Sequence, residues 1–409
     1  MNILEIYTKY PKIVTDSRKA CTDSIFFALK GESFDGNDFA AQALTAGCNY
    51  AIVDNPDVVA DERYIVVDDV LCALQDLARE YRKRLKIPVI AITGTNGKTT
   101  TKELIKCVLG EKYEIYATSG NLNNHIGVPL TILEIPPRTE IAIIEMGANH
   151  AGEIKALCDM AQPTCGLITN IGKAHLEGFG GFEGVKKAKK ELYGYLNEHA
   201  GTVFYNEENA ILADMLENAK AEKVCYGKNV KYKIISASPF LNVELCIGEE
   251  KYQVSTKMAG AYNLENLLAA VSVGVHFDVP AGRIVSAIAD YTPQNSRSQT
   301  FRTAHNQLLL DYYNANPTSM SMALNNFLEQ TKGRKMVILG DMFELGEYAA
   351  QEHAAIVETL LQQHDTTCVV VGKHFYEAAR NFPKIQAYNE MEVLKRRLVE
   401  NPPKDMFSC

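Results

Sequence analysis

An apolar run at 89–92 ends in Thr93 and passes without interruption into Gly94-Thr95-Asn96-Gly97-Lys98-Thr99, after which the pattern turns helical over 100–109. No other stretch limits the fold so tightly. Glycines let the backbone turn sharply enough for successive N–H groups to face one oxyanion, and the positive end of the following helix reinforces them. Lys98 is placed to reach the β and γ phosphates of a nucleotide, the Thr99 hydroxyl to ligate Mg²⁺, and Thr100 to open the helix. The spacing departs from the commoner G-x-x-x-x-G-K-[ST] form, because Ile92 stands where the first glycine is expected. A glycine-containing strand–helix turn with a surface lysine is the plain alternative. Gly-Lys-Thr in register between a strand and a helix favours the phosphate loop.

The surrounding pattern divides the chain in three. Residues 1–84 mix short strands with turn signals such as Gly31 to Gly36 and close on a basic helix at 71–85. Residues 85–293 carry short, almost wholly apolar runs at 89–92, 141–144 and 165–168, as expected of strands buried on both faces of a parallel sheet. Helical patterns follow at 100–109 and 183–196, then alternating strands between 203 and 258, then a long apolar helix at 260–276. Residues 294–409 repeat buried-strand runs at 308–310, 336–339 and 368–371, each followed by a helical pattern. The expected fold class is α/β with three domains, the central one a P-loop parallel-sheet ATPase domain and the C-terminal one Rossmann-like.

Composition narrows the setting. A net charge of −8 opposes broad nucleic-acid or anionic-membrane binding. No apolar stretch approaches the roughly 20 residues that span a bilayer, and the N-terminus lacks a basic segment followed by an apolar run. The ten cysteines show no C-x-x-C spacing, which suits reduced thiols and a cytoplasmic setting.

Two further residues sit where strands end. Glu145 closes the second buried run, beside the phosphate loop, where a carboxylate suits Mg²⁺; a strand-end glutamate facing solvent is the alternative. His175 follows the third run and projects at the same rim, in either a structural or a catalytic role. Lys189, within Lys186-Lys187-Ala188-Lys189-Lys190, is indistinguishable by composition from a solvated basic face.

Gly94 to Thr100, Glu145-Met146-Gly147-Ala148-Asn149-His150, and Asn170-Ile171-Gly172 with Ala174-His175-Leu176-Glu177 together resemble the Mur ligases of peptidoglycan synthesis. The shortened phosphate loop is that family's form. Three more stretches are similar to the branch that adds the terminal dipeptide: Gly120 to Leu130, Asn295-Ser296-Arg297-Ser298-Gln299 with Asp311 to Ser319, and Leu339 to Gly346 followed by Glu352-His353.

The resemblance implies a first domain for the uridine end of the substrate, a central ATPase, and a third domain closing over the nucleotide. It implies ATP and Mg²⁺, with UDP-N-acetylmuramoyl-tripeptide and D-Ala-D-Ala as substrates, in a monomer. By it Ser17 and Arg18 face the uridine-side loops, where Asn37 replaces a more usual His. Asn123, Asn124, Asn314 and Asn316 fall in substrate-binding stretches, Asn266 matches an adenine-contacting Asn, and Arg297 an Arg near the nucleotide phosphates. Asp311 falls where the ribose is held, with Asn314 a near rival. Lys189 matches a lysine that becomes carbamylated and, with His175, holds a second Mg²⁺; Lys98, His175 and Lys189 form the catalytic set. The family's pattern continues past Cys409 into a final strand, so an abbreviated third domain is expected. A related ligase with another amine substrate and a non-catalytic nucleotide-binding homologue remain rival readings. No side chain stands out as general base, and the acceptor's third residue is not indicated.

Overall fold

The computed structural model describes residues 2–226, 230–237, 240–294, 297, 299–330 and 333–408. Asn295, Ser296 and Ser298 of the third-segment stretch, and Cys409, lie outside the described residues.

The central element is a six-stranded all-parallel sheet in the order Glu222–Tyr226, Thr202–Asn206, Cys165–Ile168, Val89–Thr93, Ile141–Glu145, Ile115–Ala117. Val89–Thr93 and Ile141–Glu145 are buried along their whole lengths, which explains why they read as unbroken apolar runs. Helices cover both faces. On one, Lys98–Gly110 packs on Asn263–His276, through fully buried Leu104, Ile105 and Val108. Truncating such a leucine to alanine costs about 2–5 kcal/mol. On the other lie Glu153–Ala161 and Phe182–Glu198. An antiparallel sheet of Tyr232–Ser236, Asn242–Ile247 and Glu250–Ser255 forms an appendage, in the region read as alternating strands.

Ahead of it, a four-stranded parallel sheet has the order Lys12–Val14, Ser24–Phe27, Tyr50–Val53, Tyr64–Val66. The basic helix runs Val70–Arg84, its N-terminus capped by the Asp69 carboxylate. It packs against Gly127–Leu133 and Glu153–Ala161 of the central layer, and its buried Arg82 donates to the carbonyls of Ala161 at 2.7 Å and Gln162 at 2.9 Å.

The third sheet has the order Gln299–Arg302, Gln307–Leu310, Phe407–Ser408, Lys335–Gly340, Thr366–Val371, Ile385–Tyr388. Only its first pair is antiparallel. This is the Rossmann-like α/β arrangement expected of the last segment. Among the described residues no helix is long and apolar enough to cross a membrane.

Candidate active site

The loop Gly94–Gly97 leaves the carboxyl end of the innermost strand, where parallel sheets gather ligands. Gly94 (φ 138°) and Gly97 (φ 79°) occupy backbone conformations closed to most side chains. A Cβ on Gly97 would also lie 2.5 Å from Asn266 Oδ1. The Asn170 segment splints the loop from beside it: Asn96 N–H donates to Asn170 Oδ1 at 3.0 Å, and Asn170 Nδ2 returns a bond to the Asn96 carbonyl at 3.1 Å. The first N–H groups of helix Lys98–Gly110 have no acceptor within the helix, and the residues that carry them, Lys98 to Thr100, line the cleft, an arrangement suited to an anion. Lys98 Nζ donates to the carbonyls of Gly94 and Thr95 at 2.9 and 3.1 Å, and burial lowers its pKa against the opposing pull of Glu145.

Glu145 is 2 % exposed. One carboxylate oxygen accepts from Thr99 Oγ1 at 2.9 Å, the other from Asn123 Nδ2 at 2.9 Å. Among the described residues no set of three or more His, Cys, Asp and Glu converges as a metal cluster. Thr99 and Glu145 nevertheless bring hydroxyl and carboxylate oxygens together beside the loop, a donor set that suits a hard cation.

Asn266 is buried on the long helix, its Oδ1 accepting from Thr101 Oγ1 at 2.9 Å and its Nδ2 donating to Asn263 Oδ1 at 3.0 Å. Lys189 is 2 % exposed, its amine 5.5 Å above the Phe179 ring with no hydrogen bond or ion pair among the described residues. Burial, with Lys98 nearby, pulls its pKa down to about 7. His175 sits in the left-handed region (φ 51°) with its Nδ1 paired to the Glu344 carboxylate; burial lowers its pKa and Glu344 opposes this.

These groups line one cleft of about 740 Å³. The phosphate loop from Thr95 to Thr100, with Glu145, forms its floor; His175 and Lys189 stand to one side, Asn123 and Asn124 to another. Arg297, Asp311, Asn314 and Asn316 supply the wall opposite, from the third sheet's side. Arg297 stacks its guanidinium 3.9 Å over the Tyr313 ring. Ser17 and Arg18 do not line the cleft: Ser17 bonds Gln42 at 3.3 Å, and Arg18 pairs with Asp16 at 2.8 Å on the first sheet's side. Asn37 is 2 % exposed, its amide bonded to Asp35 and Asp54 at 2.7 Å, so it ties down its own loop.

Sequence reasoning left Asn170, Tyr313 and Glu344 without roles. The signal for Asn170 was its position just after a buried strand. For Lys189 the signal was helical period: it stands four residues after Val185 and three before Leu192, both buried.

A P-loop on a parallel sheet, a carboxylate at the neighbouring strand end and a second α/β unit facing both define a nucleotide-binding α/β protein with a cleft between its lobes. Three family models match: the Mur ligase family catalytic domain over 9–82, the Mur ligase middle domain over 92–274 and the Mur ligase glutamate ligase domain over 296–401. UDP-N-acetylmuramoyl-tripeptide–D-alanyl-D-alanine ligase of Bacillus subtilis is 34 % identical over 412 residues, covering 96 % of this chain and 88 % of that protein. The Escherichia coli protein of the same name is 33 % identical over 372 residues, covering 88 % and 81 %. The crystal structure of MurF from Acinetobacter baumannii superimposes with a TM-score of 0.87 at 33 % identity, covering 97 % of this chain and 89 % of that one. MurF of Thermotoga maritima, in complex with ADP, gives 0.86 at 25 % identity, covering 99 % and 94 %. The chain belongs to the Mur ligase family.

Proposed function

We infer that the chain is an ATP-dependent ligase that adds D-Ala-D-Ala to UDP-N-acetylmuramoyl-tripeptide in peptidoglycan precursor synthesis, the activity its relatives' names state. The observation that carries the reading is that one cleft of about 740 Å³ is lined both by the Gly97–Thr99 loop with Glu145 and by Asn314 and Asn316. A nucleotide loop opposite a second α/β wall is what two-step activation of a carboxylate needs: phosphate chemistry on one side, an amine presented from the other.

The tripeptide's terminal carboxylate oxygen attacks the γ-phosphorus of ATP; the bond to the bridging oxygen breaks and ADP departs. The acyl phosphate so formed has a leaving group that a bare carboxylate lacks. The dipeptide amine then attacks the acyl carbon, the tetrahedral adduct collapses, phosphate leaves with the C–O bond's electrons, and the nitrogen loses a proton.

Lys98 and the first-turn N–H groups hold the anions together in the first step, and the enclosed cleft keeps water from the acyl phosphate. Thr99 and Glu145 are the residues that would hold Mg²⁺. When bound it neutralises charge on the phosphate oxygens. In our reading, an amine with a pKa near 7 is largely neutral at slightly alkaline pH, the form that adds CO₂. Carbamylation, the nitrogen losing one proton, would convert the neutral Lys189 amine into a carboxylate, the donor type that a second Mg²⁺ held with His175 would require. Asn266 faces the base and Arg297 the phosphates, with Asp311 or Asn314 at the ribose; Ser17 and Arg18 serve the uridine end. We place the reaction in the cytoplasm, with the chain acting as a monomer in three domains near 1–84, 85–293 and 294–409.

The test is ADP release in the presence of ATP, Mg²⁺ and UDP-N-acetylmuramoyl-tripeptide, with and without D-Ala-D-Ala. Release that needs both substrates and yields the extended peptide supports the reading. Release indifferent to the dipeptide overturns it.

A further inference from the structure

The Glu352-His353 pair stands out in the sequence yet takes no part in the chemistry above, and neither residue lines the cleft. Both lie on helix Ala349–Leu361 of the third lobe, where they are 7 % and 0 % exposed. Glu352 Oε1 meets Lys173 Nζ of the central lobe at 2.5 Å. Lys173 is two residues from His175, in the loop that leaves strand Cys165–Ile168. The same loop is gripped a second time: Lys173 N–H donates to Thr318 Oγ1 at 2.9 Å, and a Cβ on Gly172 would lie 2.8 Å from that oxygen.

His353 works inward. Its Nδ1–H donates to the Ala349 carbonyl at 2.7 Å, and its Nε2 accepts the Met342 N–H at 3.0 Å, which defines a neutral ring. The Asp341 carboxylate beside it accepts from the His374 and Phe375 N–H groups at 2.9 Å. Held at 341 and 342, the following turn presents Glu344 to the central lobe. There its carboxylate pairs with His175 and its carbonyl accepts from Glu177 N–H at 3.3 Å.

We propose that Glu352 and His353 are positioning residues which register the third lobe on the Lys173–Glu177 loop, Glu352 directly through Lys173 and His353 by bracing the turn that carries Glu344. One helix thereby sets two contacts on either side of His175, and the cleft wall bearing Asn314 and Asn316 reaches the phosphate loop in a fixed alignment. The inference rests on the ligase reading only for its activity measurement; the docking itself is measured without substrates.

The chain has no tryptophan, so one introduced residue reports alone. Tyr348 faces Gly181 of the central lobe, its hydroxyl oxygen 3.2 Å from where a Cβ would stand. In the full-length Tyr348→Trp protein, Lys173→Glu puts two carboxylates together. It is expected to move the emission to the red and to lower dipeptide-dependent ADP release about tenfold. The exchanged pair Lys173→Glu with Glu352→Lys restores both readings, whereas general damage to the fold would not be repaired by a second charge change. Unchanged emission in the single variant, or a double variant no better than the single, overturns the proposal. If Lys173→Glu fails to fold, Lys173→Ala takes its place with the same emission reading, Lys173→Arg being the variant expected to retain docking. Inactivity of the parent enzyme with normal docking behaviour would count against the ligase reading alone.

Discussion

Asn96 of the phosphate loop and Asn316 of the opposite wall face each other amide to amide, Asn316 Nδ2 donating to Asn96 Oδ1 at 2.7 Å across 220 residues of sequence. Because Asn96 is also splinted to Asn170, the third lobe touches the nucleotide loop through a side chain that is itself held in place. Replacing Asn316 by Ala leaves one side of Asn96 without its partner. The expected result is a fall in kcat of about five- to fiftyfold, with ADP affinity, measured by calorimetry, changed far less. An equal loss in both would mean that Asn316 serves nucleotide binding rather than alignment.

Lys98→Ala removes the cation at the phosphate position. Dipeptide-dependent ADP release is expected to fall at least about a hundredfold while the melting temperature stays near that of the parent. Near-normal turnover would sink the proposed chemistry.

Glu145→Gln keeps a neutral oxygen for Asn123 but loses the negative charge beside Thr99. The Mg²⁺ concentration for half-maximal activity should rise by an order of magnitude or more. A titration unchanged in midpoint would place the metal elsewhere.

Lys189 gives a pH signature in stability. Its folded pKa, about 7, lies below the ordinary lysine value, so between the two the unfolded chain binds a proton that the folded chain does not. Stability contributed at this site therefore rises from pH 7 towards 10 and is lost as pH falls to 7. Subtracting the unfolding profile of Lys189→Met from that of the parent should isolate this upward slope, and a flat difference would refute the low pKa. In the assay, Lys189→Ala is expected to be crippled and to regain activity with added short-chain carboxylic acids.

Gly97→Ala would force a side chain onto Asn266 Oδ1 at a backbone angle of φ 79°. Loss of nucleotide binding with an intact circular-dichroism spectrum is expected; retained affinity would show that the loop relaxes.

How far the sequence alone reached is clear from particular residues. The runs at 89–92, 141–144 and 165–168 are legible as central strands because burial on both faces leaves no polar alternation to confuse them. Thr99 and Glu145 follow, since loop register and strand end together place them at one rim. Lys189 was hidden among like-charged neighbours in composition, though the stripe of Val185, Ala188 and Leu192 locates it on the buried face. The pairs Asn96–Asn316, His175–Glu344 and Lys173–Glu352 could not be read at all. Each joins distant segments through packing between lobes, and no local periodicity encodes such a meeting. Ser17 and Arg18 carry a family pattern tied to the uridine end, and in the fold they bond Gln42 and Asp16 outside the cleft lining.

The Arg82 guanidinium fastens the end of helix Val70–Arg84 to the carbonyls of Ala161 and Gln162, so the passage out of the first sheet is bolted to the central one. This joint is stiffened by hydrogen bonds from a buried guanidinium to the backbone. Under the proposed function, in which the uridine end of the substrate lies on the first sheet, this joint sets the span from that end to the phosphate loop, and a peptide one residue shorter or longer is expected to be a poorer acceptor.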